Sequence, residues 1–109
     1  MKLEMLDVSR NNIGDDGAIS FAAMLRKCPT ALPMLKMLIM AGNRIGAAGI
    51  SALAGCLQDP QLLASIEYIS LGDNLASATP MKEALRHRLG ARFRDYGDEV
   101  RRNYGMHAP

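Results

Sequence analysis

Residues 3–17 read LEMLDVSRNNIGDDG, residues 35–49 read LKMLIMAGNRIGAAG, and residues 66–76 read IEYISLGDNLA. Aligned, these stretches repeat one pattern of residue types. Apolar side chains fall at Leu3, Leu6, Val8 and Ile13, then at Leu35, Leu38, Met40 and Ile45, then at Ile66, Ile69, Leu71 and Ala76. One Asn holds the same place in each: Asn11, Asn43 and Asn74. Self-similarity at this period predicts stacked units, each too small to bury its own apolar face.

Within each unit the pattern changes from period two to a helical period. Leu6 and Val8, Leu38 and Met40, and Ile69 and Leu71 are two apart, so each pair points to one side of a strand. A turn carrying the Asn follows, and a side-chain amide there satisfies turn backbone groups. Ala18, Phe21, Ala22 and Leu25 then form an amphipathic stripe, repeated by Ile50, Leu53, Ala54 and Leu57. In the third unit Thr79 is the expected N-cap and Pro80 the first helical residue, with Ala84 or Leu85 and then Leu89 facing inward.

The pattern L-x-x-L-x-L-x-x-N-x-I resembles the leucine-rich repeat. With G-x-x-G and a full helix after it, the chain looks most like the ribonuclease-inhibitor type. The resemblance implies an α/β leucine-rich-repeat solenoid, a short horseshoe with parallel strands on the concave side and helices on the convex side. It also implies a structural ladder of Asn11, Asn43 and Asn74. The expected organisation is repeats over 1–89, divided at about 3–34, 35–65 and 66–89, followed by a basic amphipathic C-terminal helical tail over 90–109.

The chain departs from the family in three ways. Asn11 and Asn43 are 32 residues apart, and Asn43 and Asn74 are 31, longer than the roughly 20–29 residues usual for the repeat. The excess is expected in the Pro-bearing links KCPTALPM (27–34) and QDPQLLAS (58–65). The third unit lacks G-x-x-G and has Leu75 at a position expected to be polar. The first strand begins almost at Met1, with no capping segment ahead of it.

Composition agrees with one domain of 109 residues whose core is built from Leu, Ile, Met and Ala. The formal charge of +2 is uneven. Residues 1–81 hold six Lys/Arg against seven Asp/Glu, and residues 82–109 seven against four. Cys56 takes an inward helix position and is expected to be a buried thiol, and Cys28 lies in a link. With no signal peptide or transmembrane run, an intracellular setting, cytoplasmic by default, is the expectation.

Three surfaces are candidates for contact. On the strands, the residues alternating with the core ones form one column of Met5, Met37 and Tyr68 and a second of Asp7, Ile39 and Ser70. This largely apolar strip is expected to face solvent and meet a protein partner, the alternative being that the tail or a link folds over it. The first strand is an open edge, continued by another chain or by upstream repeats. In the tail, Phe93, Tyr96, Val100 and Tyr104 share a helical face that caps the last repeat or docks in a partner's groove. The same tail offers Arg92, Arg94, Arg101 and Arg102 as possible phosphate contacts.

Nothing in the sequence points to catalysis. His87 lies in RHR, read as a solvated helix face, and His107 is near the end. No spacing suits a metal, and Asp15-Asp16 suits a helix N-terminus. No cofactor and no small-molecule substrate are expected. The reading is a non-enzymatic protein–protein interaction module, either a small subunit of a larger multi-subunit assembly or the C-terminal part of a longer array. The alternative is an accessory subunit of a ribonucleoprotein that touches RNA through the basic tail.

Overall fold

A computed structural model describes residues 2–94. Three βα units follow one another: β1 (Met5–Asp7), α1 (Gly14–Lys27), β2 (Met37–Ile39), α2 (Ala47–Cys56), β3 (Tyr68–Ser70) and α3 (Thr79–Leu89). The strands make one parallel sheet in the order β1-β2-β3. The register pairs Met5 with Met37 and Met37 with Tyr68, then Asp7 with Ile39 and Ile39 with Ser70.

The period-two and helical patterns meet in one core. Leu38, Met40, Ile69 and Leu71 from the strand segments pack with Ala18, Ala22 and Leu25 of α1, Ile50 and Leu53 of α2, and Met81, Leu85 and Leu89 of α3. The helices therefore cover one sheet face, and Met5, Met37 and Tyr68 belong to the other. The links are not slack. Leu62 and Leu63 lie in the core, and Ser65 Oγ donates to Pro33 O at 2.6 Å, joining link to link.

The three Asn side chains bind the turns of successive units. Asn43 Oδ1 accepts from Asn11 N at 2.7 Å and Ile13 N at 3.3 Å, while its Nδ2 donates to Val8 O and Met40 O, both at 3.0 Å. Asn74 Oδ1 accepts from Asn43 N and Ile45 N at 2.8 and 3.0 Å, and its Nδ2 donates to Met40 O and Leu71 O. Asn11 uses only its Nδ2, donating to Val8 O and Ser9 O. Just before each Asn, Arg10, Gly42 and Asp73 all take left-handed φ values. Gly42 has a second reason to lack a side chain. Arg10 crosses over it to reach Asp73 at 3.4 Å, and a Cβ at 42 would sit 3.0 Å from the guanidinium.

Two helix starts differ from the sequence expectation. Asp15 lies in the first turn of α1, but its Oδ1 accepts from Gly46 N and Gly49 N, both at 2.8 Å, at the start of α2. One carboxylate thus supplies the next helix's missing acceptors, where the helix dipole favours negative charge. In the third unit Ala78 holds the N-cap position and Thr79 is already helical. The cap atom is Ser77 Oγ, which accepts from Thr79 N at 3.1 Å.

RHR is not uniformly solvated either. His87 is exposed, but the half-buried Arg88 turns inward and donates to Leu57 O, Asp59 O and Leu63 O at 3.1, 2.7 and 2.9 Å. Burial pushes its pKa below the ordinary guanidinium value, with Asp59 opposing. α3 ends at Leu89, a single 3-10 turn covers Gly90–Arg92, and Phe93 is extended. No continuous helix therefore runs from α3 through Phe93. Residues 95–109 lie outside the described residues, and with them Tyr96, Val100, Tyr104, Arg101 and Arg102.

Asn43→Ala should destabilise the fold by about 1–3 kcal/mol, because it orphans buried donors and acceptors of two units. Asn11→Ala should cost less, since its amide is exposed and has only two local acceptors. Paired thermal melts check the order. Arg88→Ala should cost a similar ~1–3 kcal/mol by removing three hydrogen bonds to residues 57–63, with Leu57 O losing its donor while Asp59 O and Leu63 O keep Leu62 N and Ile66 N, and Arg88→Lys should restore only part, lacking the planar fork. Denaturant melts of the two variants measure this.

Candidate functional site

The sheet face opposite the helices is built from alternate strand residues, and its exposure is graded. Met5 on edge strand β1 is 38% exposed. Met37 and Tyr68 are half-buried, and Asp7 is exposed. The second column differs from the expected solvent-facing strip. Ile39 is 2% exposed and Ser70 5%. Ile39 belongs to the central strand, in register with the exposed Asp7 on one side and the buried Ser70 on the other. It is also absent from the main core cluster. The accessible part of this face is thus Met5 and Asp7, with Met37 and Tyr68 partly accessible.

Polar chemistry frames the face. Asp7 Oδ1 accepts from Ser9 N at 2.9 Å and from Ser9 Oγ. Lys36 Nζ lies 3.5 Å from Glu4 Oε1 at the start of β1 and β2, an exposed pair of small energetic value.

The tail candidates split. Phe93 is half-buried against the core cluster, and the Arg86 guanidinium stands 4.7 Å over its ring. Arg92 and Arg94 are exposed on either side of it. A separate cleft of about 410 Å³ between α2 and α3 is lined by Ser51, Ala54, Gly55, Pro80, Glu83 and His87 among others. Cys56 is buried, with Sγ 3.7 Å from Ala22 O, and burial pushes its thiol pKa up; Cys28 is exposed and free. Among the described residues no cluster of His, Cys, Asp and Glu could hold a metal ion, and no helix is long and apolar enough to cross a membrane.

The family model described as Leucine Rich repeat matches residues 1–22 and 31–54. These two stretches are similar to leucine-rich repeats, which generally serve protein–protein interaction and are typically not enzymes. The third unit lies outside the match, yet its strand and Asn74 continue the sheet and the amide column in register. No curated protein matches the chain.

Asp15 and Arg88 are the side chains that sequence reasoning missed. Asp15 had a signal, an acid inside a Gly-x-x-Gly whose counterpart recurs one unit later at Gly46 and Gly49. Arg88 had none, because its acceptors are carbonyls of an irregular link.

Exposure sets the expected response to charge on this face. Ile39→Asp should lower stability by roughly 2–5 kcal/mol, as an unpaired carboxylate at a buried position. Met5→Asp should stay within about 1 kcal/mol of wild type. Urea melts of the two variants separate the buried column from the accessible one.

Proposed function

We propose that the chain is a non-enzymatic protein-interaction module, a short solenoid of the ribonuclease-inhibitor-like kind that serves as an accessory subunit of a larger protein assembly. A strand and a full helix in every unit support the subtype. The observation that carries the function is the register. It places Met5, Met37 and Tyr68 in one row on the helix-free side of the sheet, beginning at an exposed Met beside the exposed Asp7. Met adapts to irregular partner surfaces through its flexible, polarizable side chain, and Asp7 adds a charge that fixes orientation.

Ile39 and Ser70 act beneath this row as support rather than contact. Phe93 caps the last unit, held from outside by Arg86, instead of anchoring a neighbour. No observation favours RNA over protein: Arg92 and Arg94 are exposed without a built site around them.

Photo-reactive methionine replacing Met throughout the chain should yield partner cross-links at Met5 and Met37. Met34, in the first link and 42% exposed, is the internal control. Cross-links at Met34 with none at Met5 or Met37 would move the contact off the sheet face.

A further inference from the structure

The two ends of the stack are not alike. In the second unit Leu35, Leu38, Met40, Ile45, Leu53 and Cys56 are all buried. Their counterparts in the first unit are Leu3, Leu6, Val8, Ile13, Phe21 and Met24. All six pack against the core yet remain only half-buried. At the other end Ile66, Ile69, Leu71, Met81, Leu85 and Leu89 are buried. The residue types on the first unit suit a core; what differs is the missing cover on one side.

The polar groups on that side have the same incompleteness. Met37 N donates to Glu4 O and Tyr68 N to Lys36 O, so each strand receives its neighbour through its first residue's amide. Met5 is the counterpart of those donors on the outer edge of β1, where no strand pairs among the described residues. Val8 N and Arg10 N, by contrast, bond inward to Ile39 O and Ala41 O. Asn43 and Asn74 each accept two amides from the turn of the unit before them. Asn11 is oriented the same way, its Nδ2 fixed on Val8 O and Ser9 O, and its Oδ1 accepts nothing among the described residues.

We infer that the outer face of the first unit is a docking surface for one further βα leucine-rich unit. That unit's strand adds parallel to β1, and its turn donates two backbone N–H groups to Asn11 Oδ1. This surface is distinct from the sheet face. The internal interfaces define its occupant, since they already join units by this set of contacts. A second copy fits poorly. Head-to-tail stacking would place the open first unit on a third unit whose Ile66, Ile69, Leu71, Met81, Leu85 and Leu89 are already buried without a further unit. A two-fold pairing would run the two β1 edges antiparallel and set Asn11, beyond the end of the strand, against the start of the partner's strand, leaving its Oδ1 without the two turn amides that Asn43 and Asn74 receive.

The test adds the unit in register. Residues 35–65 are copied directly ahead of Leu3, so that Leu3 follows Ser65 as Ile66 does in the native chain. A second version copies residues 3–34 instead, so that one unsuitable junction does not decide the result. Amide exchange at Met5 and Asp7 should slow at least roughly tenfold in one or both versions, while Val8, already bonded inward, changes less. Asn11→Ala should lower Tm further in the extended chain than in the native chain, by about 4 °C or more. Unchanged exchange at Met5 and Asp7 in both versions would overturn the inference. So would an unextended chain that sediments as a dimer with these amides already protected.

Discussion

The structure depends on the burial of one neutral amide. Asn43 is fully buried, and all of its side-chain hydrogen-bonding groups meet backbone of its own turn or of the turn before it. A parallel sheet of three-residue strands has few backbone bonds of its own. The turns after the strands leave N–H and C=O groups that no ladder satisfies, deep enough that water does not reach them. An Asn offers an acceptor and two donors at short reach. Asn43 and Asn74 thereby each close their own turn and the preceding one, and the column fixes the register that places the Met5, Met37 and Tyr68 row.

Packing around this column explains how long units remain compact. Residues 57–65 are not an excursion. Leu62 and Leu63 enter the core, and Arg88 gathers three carbonyls of the segment from the next helix. Arg suits this role because its planar fork presents several donors at fixed angles while its stem covers apolar surface. The extra residues therefore widen the core layer beneath the helices.

Much of this was legible in the sequence, and the reason is periodicity. The order of strands and helices, the pairing of Met5 with Met37 and Tyr68, and the inward set Leu25, Leu38, Ile50 and Leu85 all follow from residues recurring at fixed offsets. What escaped depended on where a long or polar side chain goes. Asp15 reads as a partner for its own helix dipole, yet it serves the next helix. Ile39 reads as solvent-facing by alternation, but alternation gives only the face of the sheet and not how deeply a residue on that face is buried. Thr79 beside Pro80 has cap composition, yet Ser77 reaches the amide first. Residue types predict which face and which element; they say less about which neighbour.

The Asp15 carboxylate carries a consequence for cooperativity. Across the first boundary the exchange is mutual: the second unit gives Asn43 to the first unit's turn, and the first gives Asp15 to the second unit's helix. Losing either unit strips acceptors from the other. Across the second boundary Ala47 stands where Asp15 stood and can return nothing, so α3 starts from its own Ser77 and the coupling runs from the third unit back to the second through Asn74 and Arg88. In a linear array whose stability is a sum of unit and neighbour contributions, the nearest-neighbour coupling is then unequal at the two joints. At the first joint side-chain acceptors are exchanged in both directions; at the second the third unit supplies both the acceptor, Asn74, and the donor, Arg88, and the second unit's helix gives no acceptor back.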